Sequence, residues 1–125
     1  MEIPPLRILI ADDNETIRKA VRAILETCPE VTVCGEAVDG IDAANKAALL
    51  KPDVVLLDWF MPHMGGPDAL PLIQVQIPRA RIIMLTESDA TTGRILAEKM
   101  NVSGFVIKSE AHRDLIPAIE SVRGK

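Results

Sequence analysis

Apolar residues in this chain come in two alternating textures. Short unbroken runs, LRILIA at 6–11, VVLL at 54–57, IIML at 82–85 and GFVI at 104–107, are separated by longer stretches whose apolar positions recur three and four apart. Unbroken runs of Ile, Val and Leu are how strands covered on both faces of a parallel sheet read, and the three-four spacing marks a helix buried along one stripe. The pattern predicts a strand over 6–11, then a helix capped by Asn14 that reaches about Thr27, with Ile17, Val21, Ile24 and Leu25 inward. A second strand follows over 31–36, and a helix opens at Asp39 and closes at Lys51-Pro52. The third strand, 53–58, leads into the Pro- and Gly-rich loop WFMPHMGGP. A third helix spans about Pro67 to Gln76, where Pro71 predicts an irregular first turn. The fourth strand, about 80–86, precedes a weak helix over about 89–100, weakened by Thr91, Thr92 and Gly93. The fifth strand, 104–107, precedes a last helix with Leu115, Ile119 and Val122 on one face, whose start Pro117 limits. Five strand–helix units in succession, without a repeat or linker, predict an α/β domain over 1–125: a doubly wound five-stranded parallel sheet with five helices and right-handed crossovers.

Five polar residues stand at or just after the ends of the apolar runs: Asp12, Asp13, Asp58, Thr86 and Lys108. The separations are 45 positions from Asp13 to Asp58, 28 from Asp58 to Thr86 and 22 from Thr86 to Lys108. A strand–helix unit takes about 20–30 residues, so the first gap is two units and the others one each. All five then meet beyond the carboxyl ends of the strands, the edge where open α/β sheets build their sites.

Bulk properties narrow the partners. With 14 Lys and Arg against 18 Asp and Glu among 125 residues, the net charge is −4. Binding of nucleic acid or an anionic membrane by charge alone is therefore not expected. The opening MEIPPLRILIADD has no signal-peptide or membrane-span pattern, and a cytoplasmic location is expected. Cys28 and Cys34 lack metal-ligand spacing and read as small buried hydrophobes.

Each edge residue also has an ordinary explanation. An Asp at a strand–helix junction is often a helix cap, Thr86 alone reads as a turn former, and Lys108 alone as a solvated strand-end lysine. Capping does not account for Asp58, because Pro62, Gly65 and Gly66 follow before a helix can start. What separate structural accidents would rarely produce is the coincidence in phase. Two carboxylates about 5 Å apart repel by about 3 kcal/mol at an effective dielectric near 20, so three together call for a cation. Few, hard oxygen ligands suit Mg2+, and Asp58 could then attack phosphorus as a carboxylate nucleophile. His63 and His112 are isolated and read as surface or loop residues rather than ligands, Met61 and Met64 as loop packing, and Trp59 as the rim of the site.

Asp12-Asp13, Asp58-x-x-Met61-Pro62, Thr86 and Gly104-Phe105-x-x-Lys108 together resemble the receiver domain of two-component response regulators, over almost the whole chain. The stretch GEAVDGIDAANKAALLKPDVVLLDWFMPHMGG is most similar to receivers of the NarL/FixJ-type branch, which usually carry a C-terminal helix-turn-helix domain. The resemblance implies a flavodoxin/CheY-like sheet of order 2-1-3-4-5. It implies a phosphoacceptor at Asp58, loaded by a sensor histidine kinase. Mg2+ would be held by Asp13, Asp58 and the backbone carbonyl of Phe60, with Asp12 helping, and Thr86 and Phe105 would be switch residues. Lys108 would pair with the phosphoryl group. The only chemistry implied is transfer onto Asp58 and its hydrolysis, and the output is expected to be transcription where the receiver belongs to a longer chain. The homodimer surfaces implied are the fourth helix, fifth strand and last helix, or the first and last helices.

Three positions depart from the family. Glu87 follows the switch threonine where a small residue is usual, Ser109 follows the lysine where proline is common, and Gly65-Gly66 stands where Asp-Gly is frequent. Bulky Phe60 predicts slow autodephosphorylation. Three alternatives compete. An aspartate-nucleophile phosphatase of the haloacid-dehalogenase type would want an Asp at position 60. A flavodoxin-like cofactor carrier would want a phosphate-cradling loop where Asp12-Asp13-Asn14 stands. A degenerate receiver acting as a phosphorylation-independent binding module draws its support from Glu87.

Overall fold

A computed structural model describes residues 3–87 and 98–123. In chain order they form β1 (Leu6–Ala11), α1 (Glu15–Glu26), β2 (Val31–Ala37), α2 (Gly40–Leu50), β3 (Val54–Asp58), α3 (Gly66–Gln76), β4 (Arg81–Thr86), β5 (Gly104–Ile107), a 3-10 turn (Lys108–Glu110) and α4 (Ala111–Arg123). The strands make one parallel sheet in the order β2-β1-β3-β4-β5, the expected doubly wound arrangement. Four α-helices are described where five were expected. The helix expected over about 89–100 lies outside the described residues except for its end, where Glu98 and Lys99 are helical.

The sheet separates two cores, as period-two side-chain alternation requires. Ile8, Ile10, Val54, Leu56, Ile83, Leu85 and Val106 pack on one face with Val21 and Leu25 of α1 and Leu115, Ile119 and Val122 of α4. Leu9, Ala11, Val55, Leu57, Ile82 and Met84 pack on the other with alanines of α2 and with Ala69, Leu70 and Ile73 of α3. Every residue of β3 is buried, which explains its unbroken apolar run. Edge strand β2 is only half covered, and a bulge between its pairings Ile8–Val33 and Leu9–Gly35 shifts its register.

Both helical prolines need a correction. The first turn of α3 is regular, the Ala69 amide donating to the Gly65 carbonyl at 3.0 Å, and Pro71 sits in the helix interior. Pro117 does not limit α4, which begins six residues earlier at Ala111. Both rings lie on exposed faces, so the carbonyl one turn back that loses its donor can turn to water. Ala111 and Leu115, both buried, anchor the first turn of α4 instead. The two cysteines are half-buried rather than buried: Cys28 flanks one core and Cys34 the other. No helix among the described residues is long and apolar enough to cross a membrane.

Candidate functional site

Parallel register brings the polar residues together. Ala11 pairs with Leu57, so Asp12 leaves β1 beside Asp58 at the end of β3; Thr86 pairs with Ile107, so Lys108 leaves β5 at the same level. The chain turns sharply after Ala11. The Asp12 amide donates to the Ala37 carbonyl at 3.0 Å, and the Asn14 amide donates to Asp12 Oδ1 at 2.9 Å. Capping of α1 falls to Asn14, whose side chain accepts from the Ile17 amide at 3.1 Å. Asp12 and Asp13 are thereby released from the ordinary helix-cap role.

Asp12 is fully buried and Asp58 is 2% exposed, the only buried polar or charged residues among those described, while Asp13 is open to solvent. Ligand oxygens of Asp12, Asp13 and Asp58 lie within 4.8 Å of one another. Lys108 Nζ approaches Asp12 Oδ2 to 2.7 Å and Asp58 Oδ1 to 2.9 Å, with its side chain 9% exposed. Burial pushes the Asp58 carboxyl up to about 6; the bonded Lys108 ammonium opposes this, and the charges of Asp12 and Asp13 add to it. Burial disfavours the Lys108 ammonium, but the two carboxylates outweigh it and hold the group above its ordinary value.

One atom of this cluster tests whether a cation fits. Asp12 Oδ2 is buried against the Lys108 ammonium at 2.7 Å and accepts no other hydrogen bond among the described residues. A buried carboxylate oxygen with lone-pair capacity to spare, beside two further carboxylates, is the donor set of a hard divalent cation.

The remaining site residues surround the cluster. Thr86 ends β4 half-buried, and Glu87 after it is exposed. Phe105 on β5 pairs with Met84 and packs half-buried against the α2–α3 core, behind the site. Trp59 is half-buried, its amide donating to the Leu85 carbonyl at 2.9 Å, whereas Phe60 is 77% exposed. The loop after Asp58 docks on the start of α2: the Gly40 amide donates to the Met64 carbonyl at 2.7 Å, and His63 Nδ1 lies 2.9 Å from Asp39 Oδ2. His63 thus takes a loop role, as expected, with a contact to Asp39 that its isolation in sequence did not show, and it adopts a left-handed φ of 66°. His112 is exposed, as expected.

The contacts of two arginines behind the acidic turn left no signal in the sequence. Arg18 Nη1 donates to the Asp12 carbonyl at 2.8 Å, and Arg18 Nε and Arg22 Nε donate to the two carboxylate oxygens of Glu36 at 2.8 and 2.9 Å. The Asp12 contact closes the β1–α1 turn, whereas the two Glu36 contacts join residues 18 and 14 apart and arise only when α1 packs beside β2.

Comparison with known proteins agrees with this geometry. The response regulator protein VraR of Staphylococcus saprophyticus is 31% identical over 115 residues, covering 92% of this chain and 55% of that protein. The nitrate/nitrite response regulator protein NarL of Escherichia coli K12 is 31% identical, covering 92% of this chain and 53% of that protein. The chain thus spans about half the length of these relatives. Among solved structures, a chain of the CheX–CheY–BeF3–Mg2+ complex from Borrelia burgdorferi superposes with a TM-score of 0.88 at 25% identity, covering 98% of this chain and 92% of that one. Residues 8–120 match the response regulator receiver domain family, and the chain belongs to it, on the side of the NarL-type regulators.

Proposed function

We propose that residues 1–125 form one receiver domain that takes a phosphoryl group onto Asp58 from a phosphohistidine of a sensor kinase, in the cytoplasm, and relays it as a change of shape. The observation that carries this reading is the buried Asp58 carboxylate held between an ammonium at 2.9 Å and two further carboxylates. Asp12, Asp13, Asp58 and the Phe60 carbonyl would hold Mg2+, a reading supported by three carboxylates whose oxygens lie within 4.8 Å of one another. When bound, Mg2+ cancels the negative charge that would otherwise keep a phosphoryl group away. An Asp58 oxygen attacks phosphorus, the P–N bond to the histidine ring breaks, and an acyl phosphate forms. The Thr86 hydroxyl donates to a phosphoryl oxygen and Lys108 pairs with another, which would draw it from its present carboxylate partners. Inward movement of Thr86 and Phe105 then passes the event to β5 and the helices beside it, the surface proposed for dimerisation or for an output domain. Its only turnover is hydrolysis of its own acyl phosphate.

Intact mass after incubation with acetyl phosphate and Mg2+ tests the reading. Wild type gains one phosphoryl group and Asp58→Asn gains none. Beryllofluoride with Mg2+ should change Trp59 fluorescence in wild type alone. A chain that gains no mass from acetyl phosphate or a phosphohistidine kinase, and shows no fluorescence change, is instead a degenerate receiver that binds partners without phosphorylation.

A further inference from the structure

Behind the acidic turn, Arg18 reaches from the second turn of α1 in two directions. Its Nη1 donates to the Asp12 carbonyl at 2.8 Å, its Nε donates to Glu36 Oε1 at 2.8 Å, and its side chain is only 14% exposed. Glu36 is itself held by Arg22, and its backbone carbonyl accepts from Lys46 Nζ at 2.5 Å. The Asp12 carbonyl belongs to the peptide that joins Asp12 to Asp13. The Asp12 amide is fixed to Ala37 and Asp12 Oδ1 to the Asn14 amide, and Arg18 holds the Asp12 carbonyl as a third tie on this turn. Asp13 is exposed, its backbone follows directly on that peptide, and one of its carboxylate oxygens lies within 4.8 Å of those of Asp12 and Asp58.

We infer that Arg18, braced by Glu36, is a positioning residue for the cation site: it fixes the Asp12–Asp13 peptide so that the exposed Asp13 carboxylate points into the pocket with Asp12 and Asp58. The inference rests on the Mg2+-dependent phosphoacceptor reading above. It turns on the shape of the guanidinium rather than its charge. A planar fork serves two acceptors at once, whereas a lysine ammonium on a single flexible stem brings the same charge without the fixed two-way geometry. A cation behind three carboxylates would by charge alone oppose Mg2+, so charge cannot be what makes it useful there.

The test is titration of the 125-residue chain with Mg2+ alone, followed by Trp59 fluorescence, alongside thermal melts. Arg18→Lys, which keeps the charge and loses the fork, should weaken Mg2+ binding about 10-fold, the scale on which outer partners of metal ligands act. Glu36→Gln, which touches no ligand, should weaken it several-fold by loosening Arg18. Arg123→Ala, which breaks the ion pair with Glu30 at the opposite end of the sheet, should leave Mg2+ affinity unchanged whatever its effect on melting. The inference is overturned if Arg18→Lys binds Mg2+ as tightly as wild type, or if affinity follows melting temperature across all three variants. Wild type that binds no Mg2+ overturns it together with the phosphoacceptor reading. Wild type that binds Mg2+ and is phosphorylated beside unaffected Arg18 and Glu36 variants overturns this inference only.

Discussion

Lys108 and Asp58 meet at 2.9 Å across the end of the sheet, yet the Asp58 carboxyl still sits at about 6, because burial outweighs the ammonium beside it. The sign of the consequence follows from linkage. A carboxyl raised above its unfolded value near 3.9 takes up protons on folding, so its stabilising contribution is complete below about pH 4 and is lost as pH rises through 6. At pH 7.5 without Mg2+, Asp58 is a buried anion that costs stability, and Asp58→Asn removes it. Two pKa units set a ceiling of about 3 kcal/mol, and the lost attraction to Lys108 reduces it. The expected gain is about 1 kcal/mol, or about 3–6 °C in melting temperature, shrinking toward zero at pH 5. An equal gain at both pH values, in calorimetry of the two proteins, would show that the charge is not the cause.

Gly66 is a spatial necessity of the same strand end. A Cβ there would lie 2.3 Å from the Asp58 carbonyl oxygen and 3.0 Å from Met84 Cε, and the backbone oxygen cannot yield as a side chain could. Gly66→Ala should therefore destabilise by about 1–3 kcal/mol, the usual range for overpacking, and displace Asp58 enough to slow its phosphorylation. Urea midpoints and the rate of mass gain with acetyl phosphate check both effects.

The fold and the acidic pocket were legible in the sequence because each rests on local pattern. Unbroken apolar runs placed β1, β3, β4 and β5, and the in-phase positions of Asp12, Asp58 and Lys108 relative to those runs placed them on one edge, where they do make contact. The contacts of Arg18 with Glu36 and of His63 with Asp39 were not legible. They join residues 18 and 24 positions apart through the relative packing of elements, which no periodicity encodes. The prolines misled because propensity describes an average helix, whereas Pro71 and Pro117 occupy exposed faces where a missing amide is tolerated.

Asp39 carries two duties, and its loss should be felt in both. Its Oδ1 accepts from the Asp42 amide at 2.7 Å as the cap of α2, and its Oδ2 meets His63 of the loop after Asp58. The Asp42 amide, helped by His63, holds the carboxyl below its ordinary value. The stability it contributes is therefore present above the unfolded value and lost as pH falls through the lower folded one. Asp39→Ala should cost about 1 kcal/mol at pH 7, the typical worth of a cap, with the difference from wild type fading once the pH is low enough to protonate the carboxyl in the folded state. Urea titrations at neutral and at such acidic pH measure it.

Phe60 is 77% exposed, so replacing it should leave stability within about 0.5 kcal/mol of wild type. Its proposed place is the rim of the acyl phosphate, where a bulky apolar ring keeps water from phosphorus. Phe60→Asn should then lose phosphate several-fold faster after removal of the donor, followed by intact mass over time. Loss no faster than in the parent would count against the shielding role.

Glu87 is the residue most at odds with a working phosphoacceptor, and its exposure sets the size of the penalty. Solvent surrounds the carboxylate, so its repulsion of an incoming phosphoryl group is screened. Unit charges about 8 Å apart in water interact by about 0.5 kcal/mol, a change of about twofold in rate. Glu87→Ala should accordingly speed phosphorylation by acetyl phosphate about two- to fourfold at low salt, with the advantage disappearing near 0.5 M salt, while Asp58→Asn stays inert throughout. If wild type is inert and Glu87→Ala becomes phosphorylated, the carboxylate is a true block, and the natural chain acts by binding alone. A wild type already within fourfold of the variant makes Glu87 a modest brake on a functioning site.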